Sequence, residues 1–168
     1  MANEETALIA RVAILVTMLI GWLSWIAMAL APIALRIALA VPFFRSGLTR
    51  WDGFLKLSAS TIYLFEEEFK LHIFGGEYGF PMPDVVAALV ATAELTLPVL
   101  LVLGLATRFA ALAMLIMTAV IQLVVPDGWA NFHLPWAAMA LAILALGPGP
   151  ISLDRLIALR FVQEAPGR

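Results

Sequence analysis

The chain contains no cysteine among its 168 residues. That absence excludes disulfides, thiol redox chemistry, iron–sulfur clusters, covalent c-type haem and thiolate metal sites. Histidine is almost as scarce, with only His72 and His133. A bis-histidine haem would have to join a loop residue to a helix end, so no haem and no metal site is expected. Charge is thin: 13% of residues are Asp, Glu, Lys or Arg, against about 25% in soluble domains. The net charge of -2 comes without a basic stripe or interleaved aromatic and basic residues, which argues against a nucleic-acid partner. P-loop, GxGxxG, HExxH and GxSxG signatures are all missing.

What is abundant is apolar sequence. The chain is 63% hydrophobic, where soluble domains run about 45–50%. This composition indicates an integral membrane protein with the lipid bilayer as its first partner. The opening MANEETALIAR carries Glu4 and Glu5 before Arg11, and the apolar stretch after it is too long for a signal-peptide core. The segment is expected to stay attached.

The first apolar region runs from Val12 to Phe44 and is interrupted by Pro32 and Arg36. As one helix it would reach about 50 Å, well beyond a hydrocarbon core of about 30 Å. The reading adopted is an oblique or interfacial helix from Leu8 to Trp25, then a span from Ile26 to Phe44. A turn near Pro32, giving five spans, is the alternative. Trp22 and Trp25 suit a membrane-interface belt in both.

Residues 45–84 are the one long polar stretch, mixing ten charges with many aromatic and aliphatic residues. They predict a helical, interface-hugging cap that ends at the glycines and prolines of residues 75–83. Three spans should follow: Val85 to Leu103, Phe109 to Val125, and His133 or Leu134 to Leu146. The GPGP at 147–150 stops the last span, and Ser152 is placed to cap a short tail helix. Ala88, Thr92 and Thr96 form a stripe of small residues that predicts close helix packing. Arg11, Arg108, Arg155, Arg160 and Arg168 place both termini on the cytoplasmic side of what is expected to be a bacterial-type cytoplasmic membrane.

The fold class that results is all-α. It is a membrane four-helix bundle with an extra N-terminal hydrophobic helix and an amphipathic cap between the first and second core spans. The domains are residues 1–32 as extension, 33–157 as bundle (cap 45–84) and 158–168 as tail.

Glu94 is the only ionisable residue among the 23 between Asp84 and Arg108. A carboxylate in mid-span is costly and marks a functional site by default. Pro98 lacks the N–H that would bond the Glu94 carbonyl. Arg36, Gln122 and His133 are the other polar residues in or at the ends of spans. They should face the bundle interior, and Arg36 is the predicted charge partner of Glu94. A structural ion pair has as much weight here as a catalytic one. Gln122 reads first as interhelical glue, and His133 as a helix cap. Glu66, Glu67 and Glu68 read as a solvated face, since three consecutive residues do not share one side of a helix.

An enzyme built on these residues would need a borrowed oxidant such as a lipid-soluble quinone. Quinone pockets need apolar and aromatic walls with a few polar groups. Phe43, Phe44, Trp51, Gln122, Trp129 and Trp136 are candidates for those walls, with Glu94, Arg36 and His133 as candidate catalytic groups.

The order of these segments resembles the DoxX family. The resemblance rests on LRIALAVPFFRSGLTRWDGF at 35–54, LFEEEF at 64–69 and TAELTLPVLLVLGLATRFAALAMLIMTAVIQLVVP at 92–126. Trp129, His133, Trp136-Ala137 and GPGPISLD at 147–154 complete it, over residues 33–157 in all. Arg50 stands where the family often shows Lys. The resemblance implies a four-helix membrane bundle and, more loosely, a redox setting, since the family takes its name from a subunit of a thiosulfate:quinone oxidoreductase. Many members also sit beside genes for small metal-binding or modified peptides. Three functions follow as expectations. The first is a subunit of a quinone-linked oxidoreductase system, with Glu94 handling protons. The second is a non-enzymatic scaffold that anchors soluble partners through the cap and tail. The third is a small transporter or proton pathway, which would require a homo-oligomer.

Overall fold

The computed structural model describes the backbone of residues 2–164 and the side chains of residues 10–161. Residues 1 and 165–168, among them Arg168 of the charge-bias argument, lie outside that description.

Among the described residues, four helical stretches are long and apolar enough to cross a membrane, as expected, the fourth being the whole run Pro126–Leu146. Helix α1 runs from Ala2 to Leu48, α3 from Pro83 to Leu103, α4 from Thr107 to Val124 and α5 from Leu134 to Leu146. A short α2, Ala59–Tyr63, precedes α3, and a tail helix α6, Leu153–Glu164, closes the chain. At about 1.5 Å per residue, α3 and α4 are about 31 and 27 Å long, which matches one hydrocarbon core. The interior is made by Leu39, Ala40 and Phe43 of α1, Leu101 of α3, Ala110, Ala111 and Met114 of α4, and Ala140 and Ile143 of α5. Four of these nine are alanines, which let the helix backbones approach closely where no hydrophobic force separates helix from lipid.

Helix α1 corrects the expectation for residues 8–44. It is one uninterrupted helix with Pro32 and Pro42 inside it, and no turn forms at Pro32. Neither an oblique helix followed by a separate span nor a five-span chain is found. A proline in an apolar helix loses one backbone bond, which neighbouring groups and local adjustment can absorb. Here Pro32 packs against Gly149, where a Cβ would overlap the ring. The buried positions 32, 36, 39, 40, 43 and 47 make a single stripe at helical spacing. Residues 10–28 have no such stripe and are exposed on every side.

The cap also departs from expectation. Instead of a continuous helix it holds α2, a π-helical turn at Leu64–Glu68 and an antiparallel hairpin. Strand β1, Lys70–Ile73, pairs with β2, Gly76–Gly79, in the register Lys70↔Gly79 and Ile73↔Gly76. The two residues between them, Phe74 and Gly75, both have positive φ, at 50° and 81°. That is the geometry of the two-residue hairpin turn whose twist matches the strands. The glycines that suggested only a break in a helix therefore serve a turn.

The tail is held as its sequence suggested. Ser152 Oγ accepts from Arg155 N–H at 3.2 Å. The Asp154 carboxylate accepts from Ala106 N–H at 2.7 Å and Thr107 N–H at 2.9 Å, capping α4. Burial alone would raise the Asp154 pKa. Hydrogen bonds from Thr107 and Ala106, with the charge of Arg36, outweigh it and hold the carboxyl below its ordinary value.

The small-residue stripe is displaced by one helical face. Thr92 and Thr96 are exposed, and their hydroxyls donate to carbonyls of their own helix, Ala88 O at 2.7 Å and Thr92 O at 2.9 Å. The packed face of α3 is Ala87, Ala91, Glu94, Pro98 and Leu101.

Candidate ligand site

Glu94 is 3% exposed and ion-paired, but its partner is Arg50 and not Arg36. Arg50 Nε donates to Glu94 Oε2 at 3.0 Å, and Nη2 to Oε1 at 3.4 Å. Ser46 Oγ donates to Glu94 Oε1 at 3.2 Å. The two-armed approach is the geometry in which a guanidinium holds a carboxylate best.

The reason is the register of α1 against α3. The two run antiparallel, with Gly47 against Glu94, so close that a Cβ on Gly47 would come 2.9 Å from the Glu94 carbonyl carbon. Arg36 lies eleven residues earlier, about 16 Å down the helix axis. There it faces Gly104, and its Nη2 donates to the Ile151 carbonyl at 2.7 Å. Arg36 therefore anchors the start of the tail and takes no part with Glu94.

Arg50 is positioned by the segment that follows α1. Its N–H donates to Gly47 O at 3.2 Å, and its own carbonyl accepts from Ser58 N–H at 2.9 Å and Thr61 Oγ1 at 3.2 Å. Ser58 also caps α2 through Thr61 N–H. The π-turn after α2 then sends Phe65 inward and leaves Glu66, Glu67 and Glu68 exposed, so the acidic run is the solvated face expected of it. The Arg50 guanidinium lies 5.7 Å from the Phe65 ring centre and 5.9 Å from that of Phe69. Cation–π contact of this kind adds to the hold on Arg50.

Above the Ser46–Arg50–Glu94 cluster is a cavity of about 200 Å³. Phe43, Phe65, Phe69, Phe80 and Trp136 supply its aromatic walls, and Val86, Val90, Met117, Val120, Ile121, Val124 and Val125 the aliphatic side. Phe43 and Trp136 touch with ring centres 4.9 Å apart.

Of the nine residues singled out from sequence, Phe43, Glu94 and Trp136 line this cavity. His133 stands behind it. It is 3% exposed, with its ring centre 5.5 Å from that of Trp136. His133 Nδ1 lies 2.6 Å from the Gln122 carbonyl oxygen, which makes Nδ1 the donor, and Gln122 Nε2 donates to Pro126 O at 3.0 Å. This chain of bonds ties α4 to the turn before α5. Phe44 points outward into a shallow groove with Pro98 and Val99. Trp51 lies in another groove with Phe54, Thr92 and Thr96, and Trp129 is about half exposed. Phe44, Trp51, Trp129, Gln122, His133 and Arg36 are thus absent from the cavity walls.

Sequence reasoning missed Ser46, Arg50, Phe65, Phe69 and Phe80. One signal was present. Ser46 and Arg50 are four apart and share a face if α1 continues past Phe44. Among the described residues no three His, Asp or Glu side chains cluster to hold a metal ion.

A family model for DoxX matches residues 31–127, and the chain belongs to the DoxX family. It is an integral membrane protein built as an all-α bundle. No curated protein and no solved structure matches the sequence. The matched stretch contains every cavity residue except Trp136, and it leaves out His133 and the GPGPISLD segment.

Proposed function

We propose that this protein is the quinone-binding membrane subunit of an oxidoreductase system. The observation that carries the reading is a buried Glu94 held by half-buried Ser46 and Arg50 at the polar end of an aromatic cavity. The size supports a single ring: an apolar cavity of about 150 Å³ is known to take up benzene, and this one is about 200 Å³. Phe43, Phe65 and Trp136 offer faces and edges for stacking.

A quinone supplies electron acceptance coupled to proton uptake. The protein's part is to bind, orient and handle protons. The Ser46 hydroxyl is already given to Glu94, so the donors for an oxygen that gains negative charge are the Arg50 N–H groups not bonded to the carboxylate. Glu94 is the titratable group of the cluster, within reach of the Ser46 hydroxyl, and takes the proton-handling role. Electrons come from a partner protein, which is why the role is that of a subunit.

The test is direct. Full-length protein in lipid nanodiscs should bind a short-chain quinone, read by calorimetry or by quenching of tryptophan fluorescence. Arg50→Met should weaken that binding by about tenfold or more, the loss of one charged hydrogen bond. Wild-type protein that binds no quinone, and carries none when purified gently, refutes the reading.

A scaffold role has its own support. Phe54 and Phe74 are almost wholly exposed, and Leu55, Phe74 and Met82 hold left-handed backbone at φ 55°, 50° and 48°. Large apolar residues seldom adopt that conformation, and here it turns them outward. A partner protein docked on this cap would cover them. Copurification lost on joint replacement of Phe54 and Phe74 by Ser would support that role, and recovery of the wild-type protein without any partner would count against it.

A further inference from the structure

Resting on the quinone reading, we propose that the ligand enters sideways from the bilayer, between α3 and α4, and that the site serves a long-tailed membrane quinone whose tail stays outside. The polar atoms of the cavity lie together at Ser46, Arg50 and Glu94, and the opposite side is aliphatic. Burial follows the same gradient. Phe43, Phe65 and Glu94 are at most 4% exposed, whereas Val120 is 37% and Val125 45% exposed. Those two valines therefore stand at the mouth.

The mouth opens toward lipid. Phe109, Leu112, Ile116, Val120 and Leu123 are exposed at helical spacing, which makes them the outward stripe of α4. Val120 belongs to that stripe and to the cavity at once. On α3, Val85 and Leu89 are exposed beside the lining residues Val86 and Val90. The route from the cap is roofed instead. Phe69 and Phe80 cover it, and the hairpin is tied to the end of α4 by His72 Nδ1, 3.0 Å from Leu123 O. A cavity of this size has room for a substituted ring and not for a long isoprenoid chain, so a tail must leave by the mouth.

The absence of cysteine makes the experiment clean, because one introduced thiol can be blocked after the protein has folded. Val120→Cys protein in nanodiscs is measured before and after reaction with a bulky maleimide, with Leu112→Cys elsewhere on the outward stripe as the control. Two probes are used: a decaprenyl benzoquinone dissolved in the bilayer, and the same ring without its tail. Blocking position 120 should weaken the long-tailed quinone by about tenfold or more while the control changes nothing. The tail-free ring should be affected far less. If both proteins bind the long-tailed quinone equally after blocking while the ring still binds, the sideways entry is wrong and the ring site stands. If unblocked protein binds neither probe, the quinone reading itself fails and the entry route goes with it.

Discussion

Removing Arg50 should destabilise this protein more than removing Glu94, and removing both charges should restore most of the loss. The Glu94 side chain is 4% exposed and that of Arg50 14%. Arg50→Met leaves a carboxylate buried without a counter-charge. Breaking a buried pair in this way costs about 3–5 kcal/mol. Glu94→Gln leaves Arg50 partly reachable by water, with an amide oxygen still beside it. A loss of about 1–3 kcal/mol is expected there. The double variant has no stranded charge, and a neutral replacement of a buried pair is often harmless. With the double variant losing about 1 kcal/mol or less, the coupling should be at least about 3 kcal/mol, at or above the upper range for residues in contact. Thermal unfolding in detergent, followed by tryptophan fluorescence, gives the readout. For a chain of this length each kcal/mol moves Tm by about 2–4 °C, so Arg50→Met should fall by about 6–20 °C. Additive single losses would refute the reasoning. So would an equally large coupling between Arg36→Met and Glu94→Gln, because the helix register keeps those two apart.

Two further predictions concern the opposite end of the bundle. Gly104 sits at φ 69° against Arg36 Nη1 and Ser152, so Gly104→Ala combines backbone strain with a clash. It should lower stability by about 1–3 kcal/mol, seen as a lower Tm together with faster proteolysis of the tail. Asp154 has a folded pKa below its ordinary value of 3.8. A depressed carboxylate contributes its full stability above the unfolded pKa and loses it as pH falls through the folded one. Protection of the Ala106 and Thr107 amides, meaning exchange relative to the intrinsic rate at each pH, should therefore persist at neutral pH and fall only below about pH 4. Asp154→Ala should remove that protection at neutral pH, through the loss of a cap worth about 0.5–2 kcal/mol, and the difference from wild type should shrink as acid protonates the carboxyl.

Much of the fold could be read from local pattern. The ends of α3, α4 and α5 fall within about two residues of those inferred from hydrophobic runs, because helix length and termination are local properties. Ser152 as a cap is local in the same sense. The reading failed where the decisive contact was not local. Pro32 looked like a boundary, yet the packing of its ring on Gly149 lets α1 continue. The hairpin was missed although KLHIFGGEYG carries a local signal for it, glycines between two short runs that can take the positive-φ turn, and its contact with α4 through His72 is not local.

The same division applies to the mid-span carboxylate. That Glu94 must be paired and turned inward follows from sequence alone, since a charge in a long apolar run has nowhere else to go. Which cation pairs with it does not follow. Arg36 and Arg50 are both chemically suited, and they lie on the same helix or just beyond its end. Only the antiparallel register of α1 and α3, set by Gly47 fitting against the Glu94 backbone, brings Arg50 to the carboxylate and sends Arg36 to the tail. Side-chain type decides what a residue can bind, and the packing of distant segments decides what it meets.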